Sequence, residues 1–481
     1  MSAISSPEPG ANGVGALPGP KVYRVGTLTY TKRGLFQIFF WMLWGDFFFQ
    51  IFESMPTVTP LLLRWQGASD TTIGLMGSLS SVVALFWAPI VATQSDRHRG
   101  RMGRRRPFLL WATPPVVISL VLLGAAKPAG IWVHRLLSGL GGETFTVAGC
   151  TIAWIGVCVV IFLLFNAYIA QVFACLIPDV IPGDVMGKFS GIFRAVGAVG
   201  SLAFNRWALG WVEAYTFHVY LLIGLIFAGA FSVIIWQVKE GEYPPPPPKA
   251  PGGRLGAIKE YFQTSFCHPF YLNIFAVWFF FWASLVPLSF LVFFGTQAGR
   301  PGYAPTLDLS LQSFGEVKGW TFVVQIPVYF IVGFFADRFH PIRVTVAGMF
   351  LTAVSYFCGY WFVADEHTLL VWWCLNQVAI AVFLGAATAM SPRLLPRERY
   401  GQFTSANYIF GMVGLTLTPP LVGWLLQQVM DYRYVFIFCG VLTSLSLVAL
   451  TTLYFQWLKH GGDKDFAPPD PVRKTPALGE G

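Results

Sequence analysis

The chain of 481 residues is 55% hydrophobic, only 11% of it is Asp, Glu, Lys or Arg, and its mean hydropathy is +0.60. Soluble chains carry about 25% charged residues, so these totals exclude a soluble enzyme and point to an all-α membrane protein. The net charge of +9 is what basic loops retained on the cytoplasmic side produce; no nucleic-acid partner is expected.

Residues 1–33 are rich in Pro, Gly and Ser and lack the charged-then-apolar pattern of a signal peptide; they predict a disordered cytoplasmic tail. Apolar runs then predict transmembrane helices over 35–63, 73–91, 108–126, 152–177, 189–210 and 217–238, a first six-helix bundle at 34–238. A cytoplasmic linker follows at 239–268. Its five consecutive prolines, Pro244 to Pro248, favour an extended polyproline spacer. The second bundle, 269–458, holds runs at 269–295, 320–336, 344–363, 369–391, 403–426 and 434–457, and 459–481 is a second cytoplasmic tail. Twelve spans put both tails inside. Between spans 2 and 3, residues 97–106 hold six of the 32 Lys and Arg residues, which marks this loop as cytoplasmic. On that assignment six basic residues fall outside (Arg64, Lys127, Arg135, Arg300, Lys318, Arg433), two lie within spans (Arg194, Arg206), and the rest are inside.

The two halves echo each other. Pro178-x-x-x-Pro182-x-Asp184-x-x-Gly187-x-Phe189-Ser190 returns, position for position, as Pro392-x-x-x-Pro396-x-Glu398-x-x-Gly401-x-Phe403-Thr404, each between the fourth and fifth span of its half. Asp96-Arg97 returns more weakly as Asp337-Arg338 after span 8. Two echoes in corresponding loops argue for parallel six-helix repeats. The first half is longer between its two motifs, and 127–149 is where a longer outside loop accommodates the difference. Seven cysteines are scattered without a C-x-x-C pair, so neither a disulfide framework nor a metal site is expected, and no cofactor.

Ionisable groups inside the hydrocarbon are the first functional candidates, because each is costly unless paired or wetted. Span 1 holds Asp46 and Glu53 on one face with Gln50 between them; Asp46 lies about 16 Å up the helix from Leu35, near the midplane. Pro56 and Pro60 should kink or interrupt the helix just beyond. A carboxyl there has its pKa raised by desolvation and lowered by any nearby cation, which suits proton uptake and release at a site alternately wet and closed. The alternative is a polar residue that reaches the helix end. On span 5, Arg194 is a candidate partner or substrate ligand, whereas Arg206, beside Trp207, suits interfacial anchoring. Depth pairs Glu53 with Arg206 better than Asp46 with Arg194. For substrate, amides and aromatics are available: Gln50, Asn166, Gln171, Trp278, Trp282, Asn376, Gln377 and Asn407. Such a set suits a neutral sugar, although buried amides also serve as ordinary helix–helix contacts.

The basic loop is specific in its spelling. Asp96, Arg97, Arg101, Gly103, Arg104, Arg105, Arg106, Pro107 and Phe108 resemble the loop between helices 2 and 3 of the major facilitator superfamily, most closely its branch of sucrose–proton and related glycoside–cation symporters. The superfamily's opening Gly of this motif is Ala92 here. The resemblance implies two six-helix bundles with a midplane site. It also implies a cytoplasmic gate of charge contacts, inherited by position by Asp96, Arg97, Arg104, Asp337 and Arg338; part of the basic run serves topology or anionic headgroups instead. The sodium-using melibiose branch carries acidic residues within helices 2 and 4, and spans 2 and 4 here hold none before Asp96 and Asp179, which favours protons as the coupling ion. The expectation is proton-coupled symport of a glycoside, a disaccharide such as sucrose or maltose, by a monomer in the inner or plasma membrane, its partners being the sugar, a proton and the lipid bilayer. A facilitator or exporter of another small solute, or a non-transporting sensor or scaffold on the same fold, are the rival readings. No metal spacing, nucleophile motif or phosphate loop suggests an enzyme.

Overall fold

The computed structural model describes residues 22–140, 145–243, 266, 268–296, 302–396 and 399–469. The polyproline run Pro244 to Pro248 lies outside the described residues. Two short strands, β1 (Tyr23–Val25) and β2 (Leu28–Tyr30), form an antiparallel hairpin, which corrects the expected disordered tail over its last ten residues or so. Helices follow: α1 (Lys32–Glu53), α2 (Thr59–Trp65), α3 (Asp70–Arg97), α4 (Arg106–Gly124), α5 (Ala126–Gly139), α6 (Val147–Val180), α7 (Met186–Ala203) and α8 (Val212–Gln237). In the second half come α9 (Pro269–Leu285), α10 (Leu291–Gly295), α11 (Leu311–Phe339), α12 (Pro341–Phe362), α13 (Glu366–Leu394), α14 (Tyr400–Val429) and α15 (Tyr434–Lys459).

Among the described residues, ten stretches are long and apolar enough to cross a membrane. One, Gly183–Gln237, runs 55 residues, far longer than the ~30 Å hydrocarbon core needs, and its backbone leaves helical geometry at Tyr215. It therefore reads as two crossings. With α11, whose 29 residues reach well beyond the run expected at 320–336, the arrangement is consistent with twelve spans. The longer loop expected at 127–149 is largely α5, an amphipathic helix packed on α6.

Packing repeats between the halves. In the first, α1 packs on α7 and α8, α3 on α6, and α4 on α6 and α8. In the second, α9 packs on α14 and α15, α11 on α13, and α12 on α13 and α15. Each pair in one half has its counterpart in the other, as parallel repeats require. Caps repeat as well: Ser69 accepts from the Thr72 N–H at the start of α3 (3.1 Å), and Ser310 from the Ser313 N–H at the start of α11 (3.0 Å). Aromatics fill both cores, with Phe52 stacked on Phe227 at 4.1 Å and Phe281 beside Phe383 at 4.3 Å.

The halves meet along two seams, α3 against α14 and α7 with its continuation against α11. Exchanging the halves turns one seam into the other. Both depend on glycine: a Cβ at Gly74 would sit 2.2 Å from the Pro419 carbonyl oxygen, and one at Gly315 would sit 2.2 Å from that of Asn205. Close backbone approach of this kind is how helices associate where lipid removes the hydrophobic drive between them.

Helix interruptions also fall at corresponding places. Span 1 is helical to Glu53, tightens into a 3₁₀ turn at Met55–Val58 and resumes as α2, where Pro56 and Pro60 remove backbone donors. Span 7 ends α9 at Leu285, turns through Pro287–Phe290 and resumes as α10. The apolar run 269–295 predicts one unbroken helix; Pro287 is the reason it breaks.

Candidate functional site

Both interruptions face a common cavity of about 420 Å³ between the bundles. Thr57, Thr59 and Pro60 line it from the first break, and Leu288, Ser289 and Phe290 from the second. Ser80 of α3, Leu163 of α6, Lys318 of α11, and Trp373 and Gln377 of α13 complete much of the wall. Paired discontinuous helices around a central space are the arrangement in which transporter folds place substrate.

One helical turn beyond Leu163, toward the end that carries residues 97–106 (the basic end), Asn166 donates its amide to Glu53 Oε1 at 2.5 Å. Two sequence candidates of different expected roles thus meet. One and two turns further along α1, Gln50 donates to Asp46 Oδ1 at 3.4 Å. Asp46 is 1% exposed, and among the described residues its buried Oδ2 has no hydrogen-bond partner. Gly197 of α7 packs on this oxygen; a Cβ there would approach it to 2.8 Å. The result is a polar stack, Asn166–Glu53–Gln50–Asp46, running from the cavity wall toward the basic end.

The arginines expected beside these carboxyls are elsewhere. Arg206 pairs with Glu316 of α11 at 2.8 Å, half exposed, because the π-helical turn at Phe204–Ala208 sets it on the α7–α11 seam and away from Glu53. Arg194 is exposed, one turn toward the basic end from Gly197, and pairs with no carboxylate among the described residues. Lys318, taken as an outside-loop residue, lies within α11 and lines the cavity.

Of the remaining amide and aromatic candidates, Gln377 lines the cavity and accepts from Gln325 at 3.4 Å. Asn376, its neighbour, is fully buried and donates to Ser355 Oγ at 2.7 Å, a contact between α12 and α13. Its amide serves that helix contact and is not among the residues lining the cavity. Trp278 stacks on Trp282 at 6.3 Å and packs on Phe383 at 5.8 Å inside the second bundle, and the Gln171 amide meets Cys175 Sγ at 3.6 Å. Asn407 is half-buried on α14, its Oδ1 without a hydrogen-bond partner among the described residues.

At the basic end, the 2–3 loop is knitted into the first bundle. The Arg104 guanidinium donates twice to the Asp179 carboxylate, at 2.6 and 3.2 Å, and stacks over Tyr243 at 4.0 Å. Arg105 donates to Asp179 at 3.1 Å, to Asp96 at 2.6 Å, and to Ser95. Burial alone would lower the Arg104 pKa, but the hydrogen bond and charge of Asp179 outweigh it and hold the guanidinium above its ordinary value. Glu240, just past α8, accepts from the backbone N–H groups of Arg104, Arg105 and Arg106 at 2.9, 2.9 and 2.8 Å, an anion seated on the N-terminus of α4. Arg97 is half-buried, and Arg338 is exposed beside the Phe339 ring; the Asp337 side chain lies outside the described residues.

At the opposite end is a cluster the sequence reading missed. Arg64 of α2 is paired with Asp70, the first residue of α3, and both are buried, at 8% and 0% exposure. From the second half, the Tyr432 hydroxyl donates to Asp70 Oδ1 at 2.9 Å and accepts from Arg64, and Tyr303 donates to Asp70 Oδ2. Phe293 lies beneath the guanidinium, 4.5 Å from its ring centre. The cluster sits directly beyond Leu63 and Ile73, which line the cavity. Thr71 with Gln427 (3.0 Å) and Ser81 with Thr416 (3.0 Å) extend the bridge down the α3–α14 seam.

The model of the Major Facilitator Superfamily matches residues 285–479. Solute carrier family 45 member 4 of Mus musculus is 26% identical over 206 residues, 40% of this chain and 25% of that protein; the chain thus spans about a quarter of the length of this relative. Human proton-associated sugar transporter A is 35% identical over 74 residues, 15% of this chain and 10% of the relative. Among solved structures, a bacterial homologue of the iron transporter ferroportin in an inward-facing state superposes with a TM-score of 0.63 at 13% identity, covering 87% of this chain and 98% of that one. A D-xylose–proton symporter gives 0.59 at 13%, covering 91% and 98%. By its apolar helices, its paired six-helix repeats and these superpositions, the chain is an integral membrane protein with the major facilitator fold, and its second half matches the model of that superfamily.

Proposed function

We propose that the protein is a secondary active transporter that carries a glycoside, a disaccharide such as sucrose or maltose, together with a proton by alternating access, with the basic end facing the cytoplasm. The observation that carries the reading is the Asn166–Glu53–Gln50–Asp46 stack leading from the cavity wall. Two carboxyls share one face of α1, and among the described residues neither is paired with a lysine or arginine. A buried carboxylate with an unsatisfied oxygen is costly, and a proton is the ligand that removes the charge. Rocking of the bundles, which wets the stack from the cavity or from the cytoplasm in turn, supplies the alternation that coupling needs. The mouse and human relatives, one of them named for sugar and proton, support the same direction.

In this reading Gln50, Asn166 and Gln377 contact the sugar, the Arg64–Asp70–Tyr432 cluster is the outer gate, and Asp96, Arg97, Arg104 and Arg338 serve the inner one. The test is proton movement in proteoliposomes offered a panel of sugars, wild type against Asp46→Asn. Sugar-dependent alkalinisation of the outside medium, lost in the variant while sugar counterflow persists, is the expected result. Counterflow without proton movement in the wild type would leave a facilitator. Silence toward every sugar, in protein that elutes as a folded species, would sink the glycoside reading.

A further inference from the structure

Between α4 and α6 the chain makes a helix that crossing the membrane does not require. The α4 backbone leaves helical geometry at Ala125 (φ −90°, ψ 15°) and resumes as α5. Pro128 falls in the first turn of α5, where a backbone N–H would have no partner within the helix. Two contacts set the direction of α5. The Trp154 indole N–H donates to the Leu122 carbonyl at 3.0 Å, and Gly130 packs on Thr151 so closely that a Cβ would collide with it. From Leu122 to Gly130 the chain covers eight residues, about 12 Å as helix, while Trp154 to Thr151 covers three, about 4.5 Å along α6. A helix running antiparallel to α6 would advance equally on both. Instead α5 lies across α6, at the end away from the basic loop.

The sides of α5 differ in kind. Helical spacing of about 100° per residue puts Ala126, Gly130, Val133 and Leu137 together on the buried or half-buried face. On one flank stand Trp132, Leu136 and Leu140, all exposed. Lys127 and Arg135, also exposed, come round from the other flank, and residues 107–142 contain no Asp or Glu. The adjoining spans expose Ile118, Leu122 and Val157, so apolar surface runs on from α5 to the membrane-facing sides of α4 and α6. We propose that α5 is a lipid-binding helix in the interface of the leaflet opposite the basic end. Trp132, Leu136 and Leu140 sit among acyl chains, and Lys127 and Arg135 on the headgroups of acidic phospholipids. A membrane interface passes from hydrocarbon to anionic headgroups within the width of one helix, which is the change that α5 makes from flank to flank. Because α5 packs on α4 and α6, the anchor holds the first bundle at one depth and adds no such tie to the second. The inference stands whatever solute the protein carries.

The experiment places a nitroxide on Trp132→Cys, Arg135→Cys and Leu136→Cys, one at a time, in the full chain in phospholipid nanodiscs. The unsubstituted chain, carrying its native cysteines, gives the background. Collision with oxygen, which concentrates in hydrocarbon, and with a water-soluble nickel chelate reads the depth of each label. Labels at positions 132 and 136 should favour oxygen, and the label at 135 should favour nickel. Replacing phosphatidylcholine by phosphatidylglycerol should draw the label at 132 deeper. Lys127→Gln combined with Arg135→Gln should weaken that response roughly fivefold per charge removed. Nickel access at 132 and 136 in both bilayers would overturn the proposal, because the strip would then lie in water. Exclusion of both reagents there would also overturn it and give the strip to a protein partner. A depth indifferent to phosphatidylglycerol, or a response that survives the double substitution in protein with a wild-type melting temperature, would overturn the headgroup assignment.

Discussion

At the basic end, Arg104, Arg105, Asp179 and Glu240 are joined to one another within the first bundle, whereas at the opposite end Arg64 and Asp70 of the first bundle are joined to Tyr303 and Tyr432 of the second. Both use arginine against aspartate. They differ in burial and in span: the Asp96 side chain is 55% exposed at the basic end, while Asp70 at the other is wholly buried. Charge in a wet network braces one rigid body and leaves its relation to the other free. Charge in a dry cluster built from both bodies decides whether they are together at all. In the proposed alternating-access cycle, the second kind is the device needed at the side being closed.

Three perturbations would sharpen that contrast. Asp70→Asn removes the anion from a buried pair and leaves Arg64 without it, a loss of about 3–5 kcal/mol; the melting temperature in detergent should fall most here, and access of a water-soluble quencher to Trp373 in the cavity should rise. If both stay at wild-type values, the cluster does not hold the halves. Glu240→Ala deletes an acceptor from three N–H groups at the start of α4. A cap of this kind is worth roughly 0.5–2 kcal/mol, so a smaller thermal shift is expected, without any change in quenching, because both partners belong to one bundle. Arg206→Ala breaks a pair whose side chains are 40% and 33% exposed, for which roughly 0–1 kcal/mol is the scale. A thermal shift as large as that of Asp70→Asn would mean the α7–α11 seam, and not the buried cluster, carries the closure.

Much of this is legible in the sequence. The spans follow from apolar runs, and the one-face placement of Asp46, Gln50 and Glu53 follows from helical spacing alone. The break after Glu53 follows from Pro56 and Pro60. What escaped depends on distant chain. Arg64 sits before Trp65-Gln66-Gly67 and reads as a loop residue; the group that buries it, Tyr432, is 368 residues away. Lys318 lies among Gln312, Ser313 and Glu316, polar enough to mimic a loop, yet the segment is capped by Ser310 and is helical. Arg206 looked like a partner for Glu53 by depth. Depth does not specify azimuth, and the π-helical turn rotates it to Glu316. Pro287 stands in a run so apolar that hydropathy alone predicts a continuous helix.

Asp70 has a further consequence, for time instead of energy. Its two oxygens serve partners on three separate segments: the end of α2, the chain between α10 and α11, and the chain between α14 and α15. Losing one partner strands charge on the others, so partial release is the most costly arrangement of all. The halves therefore should not unzip bond by bond. They should dwell shut and then part at once, giving single-molecule records of this face two sharp levels with no shoulder between them.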